Sequence, residues 1–192
     1  MIPADRFLVR STDREEWLEA RTRGVTATAV AEAATPSGFA SLVASWSEPP
    51  FEGNGYTDFG TWAEPYLMRY AHLEHGILPN DWLIAGEQEW QMGTPDGLSP
   101  DHDEIAEAKT GGKVPTSVPR KHRDQCQWNL HITGARRCLY LFQPRMEAAD
   151  GSYYLGLLEP VTFWIDRDDA RIAELVTVAE RVMEVRGGVQ FG

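Results

Sequence analysis

The chain has 192 residues, of which 42% are hydrophobic, and this is enough apolar material for one well-buried core. No apolar run approaches the roughly 18 residues of a membrane span, and the N-terminus lacks the basic-then-apolar layout of a signal peptide. The formal net charge of −11 excludes a general electrostatic attraction to a polyanion. We therefore expect a cytosolic protein without a membrane partner, in which any anion is bound locally.

Basic residues nevertheless occur in small groups along the chain: Arg21 with Arg23, Lys109 with Lys113, and Arg120 with Lys121 and Arg123. The two cysteines, Cys126 and Cys138, are too few for a disulfide framework or a zinc cluster. We expect both to be buried thiols.

The first predicted helix begins near Thr12, in the segment TDREEWLEAR. Thr12 is followed three residues later by Glu15, a spacing typical of a capping box. Trp17 and Leu18 are expected on one face of this helix.

Two short helices and a loop are predicted next. The run VTATAVAEAA has Thr26 as a candidate cap and must end before Pro36, because the residue before proline disfavours the helical conformation. Residues 37–46 suit a further helix. The stretch SEPPFEGNGYTD, residues 47–58, is rich in proline, glycine and polar residues and predicts a loop.

The segment FGTWAEPYLMRYAHLEHG predicts a longer helix with Thr61 as its cap and Pro65 in the first turn. Its large apolar residues recur at helical intervals, which predicts that they form the buried stripe: Phe59, Trp62, Tyr66, Tyr70 and Leu73.

The pattern then changes to short segments, LIAGEQEWQM and EIAEAK, separated by the turn-rich GTPDGLSPDHD. This arrangement predicts a β-hairpin. The residues of DEIAEAK are good helix formers, so the second strand requires tertiary context to override local propensity.

The C-terminal part predicts a helix, two strands and a last helix. KHRDQCQWNLHITG is expected to form a helix that ends at Gly134. The strands CLYLFQ and YYLGLLEPVTFWI follow, separated by the loop PRMEAADGS. The last helix begins near Asp166 or Asp168 and ends at Gly187, with one apolar stripe: Ile172, Leu175, Ala179 and Val182.

These elements together predict an α/β fold with a central mixed β-sheet flanked by helices. We expect one domain over residues 1–192, with a motif-bearing core over about residues 12–145 and the C-terminal strands and helix over 152–187.

The strongest local signal is Pro95-Asp96-Gly97 followed by Glu107-Ala108-Lys109. On a strand, Glu107 and Lys109 project from the same face, and a hairpin brings Asp96 beside Glu107. Two carboxylates suit a hard cation that prefers oxygen ligands, and the backbone carbonyl of Ala108 adds another oxygen. A bound Mg²⁺, or Mn²⁺ in its place, would polarise a phosphate and acidify a coordinated water, which Lys109 could orient.

Several segments in this order resemble the YqaJ-like viral recombinase family, whose best-known relative is lambda exonuclease. They are WLEARTRGVTATAV, FGTWAEPYLMRYA, GTPDGL, EAK and DQCQWNLHITGARRCLYL. The resemblance extends from about Trp17 to Tyr140 and implies a PD-(D/E)XK restriction-endonuclease-like core. It is more specific than any one segment, because a lone D…ExK match occurs often by chance.

The resemblance implies roles for individual residues. Asp96 and Glu107 would bind metal with Glu64, Lys109 would position water, and Gln125 would support the nucleophile or the scissile phosphate. Arg21 and Thr28 match positions that bind the 5′ phosphate of a DNA end. Physical chemistry supports these two assignments, because arginine can bind a phosphate through two hydrogen bonds and the first turn of a helix attracts anions.

Each assignment has a structural alternative. Glu64 could complete a capping box with Thr61, and Arg21 could be a solvated charge at a helix end. Thr28 could be an ordinary first-turn residue and Gln125 an exposed one, whereas Gln127 is more suited to a structural role.

The resemblance implies a metal-dependent 5′ to 3′ exonuclease that acts on linear double-stranded DNA in phage-type recombination, in a phage-encoded or bacterial protein. It also implies a homotrimer and a single-strand annealing protein as partner. Two other functions stay open: an endonuclease or repair nuclease, and a catalytically silent module that binds DNA ends.

Overall fold

The computed structural model describes residues 1–48 and 53–188 of the chain. A short 3-10 helix, Ala4–Arg6, precedes the first strand. The described strands are β1 (Phe7–Arg10), β2 (Val25–Thr26), β3 (Leu78–Pro79), β4 (Trp82–Ala85), β5 (Gln91–Gly93), β6 (Gly97–Leu98), β7 (Glu104–Gly111), β8 (Arg137–Glu147), β9 (Tyr153–Leu155) and β10 (Val161–Asp166). The helices are α1 (Arg14–Thr22), α2 (Ala27–Ala33), α3 (Pro36–Ser45), α4 (Gly55–His75), α5 (Arg120–Thr133) and α6 (Asp169–Gly188).

The strands form two sheets. The larger one has the order β10-β8-β7-β6-β3, with β9 added to the far end of β8, and the smaller one has the order β1-β4-β5-β2. In the larger sheet β7 and β8 are parallel, whereas the β8–β10, β6–β7 and β3–β6 pairs are antiparallel. The predicted mixed sheet flanked by helices is therefore confirmed.

The central strands β7 and β8 are covered by helices on both faces. Alternate residues of a strand point to opposite faces, so Ala106 and Leu139 pack with α4, while Ile105 and Tyr140 pack with α5 and α6. Burial on both faces explains why a segment of helix formers is extended here, because β7 gains a parallel ladder along its whole length. The prediction that this segment is a strand is confirmed.

The helices α2, α3, α5 and α6 agree with their predicted positions. The α5 helix ends at Gly134, whose φ of 74° is in the left-handed region that favours glycine. The buried residues of α6 are those of the predicted stripe: Ile172, Leu175, Ala179 and Val182. Gln127 has the structural role expected of it, since its amide bonds the backbone of Asp166 and Asp168.

The predicted start of α1 was wrong. Its N-cap is Asp13, without a side-chain capping bond, and the Thr12–Glu15 capping box does not form. Trp17 is buried as expected, but Leu18 is 47% exposed. Adjacent residues of a helix lie about 100° apart, so both cannot face the same narrow contact.

The start of α4 was also predicted wrongly. The helix begins at Gly55, within the predicted loop, because Asn54 caps it by accepting bonds from the amides of Tyr56 and Thr57. Residues 49–52 of that loop lie outside the described residues. Thr61 is inside the helix, where its hydroxyl bonds the Thr57 carbonyl, so the alternative of a Thr61–Glu64 capping box is excluded.

The predicted buried stripe of α4 was largely wrong. Trp62 and Tyr66 are 48% and 53% exposed, and Leu73 is exposed as well. Phe59 of the predicted stripe is buried, and Tyr70 packs partly buried against the core. The other buried residues of the helix are smaller or more flexible: Ala63, Leu67, Met68 and Ala71. The closely packed sheet accepts these less bulky side chains.

Two strand predictions need correction in detail. The single predicted hairpin is two hairpins, β4–β5 in the smaller sheet and β6–β7 in the larger. Strand β8 continues through the predicted loop to Glu147, and the second C-terminal strand is divided into β9 and β10.

Cys126 and Cys138 are both buried and free, as expected. Within the part of the chain that the structure describes, no helix combines the length and the apolar character needed to cross a bilayer.

Candidate active site

The strand β7 places Glu107 and Lys109 on the same face, as the sequence predicts for an extended segment. Lys109 Nζ lies 2.5 Å from Glu107 Oε1. Both residues are in register with β8, opposite Tyr140 and Phe142, so their backbone is fixed by the parallel ladder. A rigid strand therefore presents a carboxylate and an ammonium side by side.

Asp96 reaches the same point from the turn before β6. Its backbone amide donates to the Ala106 carbonyl at 3.0 Å, and its Oδ2 accepts from the Ala108 amide at 2.7 Å. The side-chain amide of Asn80 donates from Nδ2 to the Pro95 carbonyl at 2.8 Å and so stabilises the turn. The hairpin geometry predicted for Asp96, Glu107 and Lys109 is thus present.

The carboxylates of Glu64, Asp96 and Glu107 interact with one another and with a single ammonium, that of Lys109. Burial, followed by the charge of Glu107, raises the pKa of Asp96 well above its usual range. Burial also raises the pKa of Glu64. Burial alone would lower the pKa of Lys109, but the charges of Glu107 and Asp96 outweigh it, so this pKa is raised and the ammonium stays protonated.

These groups form one end of a cleft of about 460 Å³. The cleft brings together most of the residues singled out in the sequence: Arg21, Thr28, Glu64, Asp96, Glu107, Lys109 and Gln125. Ala108 lines an adjoining pocket that also contains Glu64, Asp96 and Lys109. Residues far apart in sequence, from α1 to α5, therefore share one concave surface of the size typical of ligand sites.

The other end of the cleft is basic. The guanidinium of Arg21 lies 4.0 Å from the ring centroid of Trp17, and that of Arg14 lies 5.0 Å from it. Burial, together with the charge of Arg14, lowers the pKa of Arg21. Among residues 1–48 and 53–188, no carboxylate forms an ion pair with either arginine. Two guanidinium groups without a counter-charge are suited to bind an anion.

Gln125 and Thr28 contact each other in the same cleft. Thr28 lies in the first turn of α2, and its hydroxyl accepts a 3.1 Å bond from Gln125 Nε2. Gln125 is only 8% exposed, so the alternative of an ordinary exposed glutamine is excluded. The roles of both residues toward a ligand stay predictions.

Sequence reasoning missed several polar residues of the cleft, among them Arg14 and Asn129. Arg14 lies one helical turn before Trp17, a spacing that could have placed it near Arg21 on the same face of α1. Asn129 of α5 donates from Nδ2 to Glu107 Oε2 at 3.1 Å. This contact depends on how α5 packs on the sheet, and no sequence pattern shows it.

Asp96 and Glu107 fit a hard divalent cation by their chemistry, because both offer carboxylate oxygens and the positive charge of Lys109 is shared between them. In the described part of the chain, however, no three His, Cys, Asp or Glu side chains are already gathered closely enough to hold a metal ion. Glu107 is bonded to Lys109 and Asn129 instead. The described side chains therefore fit a cation site with two carboxylates, those of Asp96 and Glu107. Glu64 would have to move closer to become a third ligand.

The fold, with its mixed sheet and the hairpin that places Asp96 beside Glu107, is shared with solved structures of exonucleases. Solved structures of an alkaline exonuclease from Laribacter hongkongensis, LHK-Exo, have TM-scores of 0.68 for the protein and 0.69 for its complex with dAMP. Their sequence identities to this chain are 23% and 24%, over 92% of this chain and 95% of theirs.

A phage-related exonuclease from Haemophilus somnus 129PT has a TM-score of 0.63 at 17% identity, over 83% of this chain and 92% of its own. No protein-family model matches the sequence, and a comparison with curated proteins found no match either. The resemblance stated from the sequence is confirmed at the level of the fold.

Proposed function

We propose that this chain is a Mg²⁺-dependent DNA exonuclease that hydrolyses linear double-stranded DNA from a 5′-phosphorylated end. One observation carries the proposal: a single cleft has the Asp96, Glu107 and Lys109 group at one end and Arg14 and Arg21 at the other. The acidic end suits the cleavage of a phosphodiester, and the basic end suits the binding of a phosphate.

In this proposal Asp96 and Glu107 hold the cation, with the Ala108 carbonyl and Glu64 as further oxygen donors. When bound, Mg²⁺ supplies charge to the scissile phosphate and lowers the pKa of a coordinated water. Lys109 orients the attacking water and stabilises the charge that develops on the phosphate. Gln125 holds the nucleophile or the phosphate in line. Cleavage of the bond between phosphorus and the 3′ oxygen then releases a 5′ mononucleotide.

The structural neighbours support this substrate class, since two are exonucleases and one of these was solved with dAMP. The 5′ to 3′ direction, a role in phage-type recombination and a single-strand annealing partner rest on the family resemblance, and so does a homotrimer. The cytosol of a bacterial host is the matching location. Mn²⁺ is the expected substitute metal, because it takes similar oxygen ligands.

The test is degradation of duplex DNA labelled at the 5′ or the 3′ end, in linear and circular forms, with Mg²⁺. We expect the linear form to lose its 5′ label first, as mononucleotides, while the circle stays intact. Cleavage of the circle would instead assign an endonuclease or repair nuclease. DNA-end binding without hydrolysis in any divalent ion would assign a catalytically silent binding module.

A further inference from the structure

Asn129 is an uncharged residue among the charged groups of the cleft. It lies on α5, is 1% exposed, and lines the cleft beside Glu107. Its Nδ2 donates to Glu107 Oε2, while Lys109 bonds the other oxygen of the same carboxylate. Glu107 is therefore held at both oxygens, by an amide from one side and an ammonium from the other.

The orientation of the Asn129 amide follows from its partner. A carboxylate only accepts hydrogen bonds, so the amide nitrogen must face Glu107. This leaves Asn129 Oδ1 buried without a hydrogen-bond partner in the described part of the chain. Such an unpaired buried acceptor destabilises the fold, a cost that a residue serving stability alone does not explain.

Gly93 makes the position of Asn129 possible. A Cβ atom built on Gly93 would lie 2.5 Å from Asn129 Oδ1, well inside van der Waals contact. Any larger residue at this point of β5 would push the amide away from its place. Helix α5 therefore lies so close to β5 that the Asn129 side chain, which holds Glu107, requires a glycine at position 93.

We infer that Asn129 is a positioning residue that fixes Glu107 for divalent-cation binding, an inference that rests on the proposed function. Lys109 is positively charged and would oppose a cation at Glu107, because like charges repel. The neutral amide of Asn129 would hold the same carboxylate without this repulsion.

The test is Mn²⁺ binding by isothermal titration calorimetry without DNA, on Asn129→Leu, which keeps the branched outline of the side chain and removes its amide. Loss of an outer partner of a metal ligand weakens metal affinity by about 10- to 100-fold, and we expect that loss here. Gly93→Ala, which displaces the amide and leaves Glu107 unchanged, should weaken Mn²⁺ binding in the same direction.

The matched control is Gln127→Leu, two residues earlier on α5, where the buried amide bonds only the backbone before α6. This variant should lose thermal stability and keep its Mn²⁺ affinity. If Asn129→Leu shows that same pattern, Asn129 is merely structural and the inference fails. If the wild-type protein binds no Mn²⁺, the proposed function fails along with the inference.

Discussion

The two ends of the cleft are built in different ways. The acidic end rests on paired strands, with Glu107 and Lys109 on β7 and Asp96 bonded to the backbone of Ala108. The basic end rests on the helices α1 and α2, where Arg14 and Arg21 lie against Trp17. Strand pairing fixes positions to within hydrogen-bond distances, whereas long arginine side chains stay adjustable. Phosphodiester cleavage would require the fixed positions of the acidic end, whereas the binding of a DNA end would tolerate adjustable arginines.

Neutralising the acidic end should have the largest effect. Asp96→Asn keeps the shape of the side chain and an acceptor for the Ala108 amide, but it removes a charge that would hold the metal. We expect hydrolysis of linear duplex to fall about 100- to 1,000-fold. The free energy of unfolding should stay unchanged or rise, because burial and neighbouring carboxylates oppose the charged form. Activity and urea denaturation measure the two effects, and a parallel loss of both would contradict the assignment.

Arg21→Ala should have an intermediate effect, confined to recognition of the DNA end. Bonds to a charged phosphate are worth about 1.5–3 kcal/mol, so we expect the preference for a 5′ phosphate over a 5′ hydroxyl to fall about 10- to 100-fold. Competition binding in a chelator, without hydrolysis, measures this preference. Arg23→Ala is the matched control, because Arg23 pairs with Glu19 and does not line the cleft. Equal effects of the two variants would remove the proposed role of Arg21.

Arg14→Ala should have the smallest effect, since Arg14 is more exposed than Arg21 and solvent weakens its attraction. We expect affinity for a 5′-phosphorylated end to weaken about fivefold, with a loss of about 1 kcal/mol. The salt dependence of binding provides a second readout, because one fewer phosphate contact lowers its slope. If the affinity and the slope of its salt dependence are unchanged, Arg21 alone would bind the phosphate at the basic end.

The sequence predicted the acidic end well because its logic is local. Two residues of a strand and the turn before it determine how Asp96, Glu107 and Lys109 meet. The α6 stripe was predictable for the same reason, since one helical face holds nearly all of its apolar residues.

Other features depend on choices between similar patterns. In α4, Trp62 and Tyr66 recur at the same helical spacing as Phe59, and only the packing of the helix on the sheet decides which of them is buried. The contact of Asn129 with Glu107 could not be predicted either, because it joins residues 22 positions apart on different elements. Sequence periodicity has no information on such packing.

The most direct test of the account compares wild-type protein with Lys109→Ala on linear duplex with a 5′ phosphate, in Mg²⁺ and in chelator. We predict hydrolysis only by the wild-type protein in Mg²⁺, while both proteins still bind the DNA end, because the basic end of the cleft is unchanged. Full hydrolysis in chelator, or by Lys109→Ala, would contradict the claim that the strand carrying Glu107 and Lys109 performs metal-dependent phosphodiester cleavage.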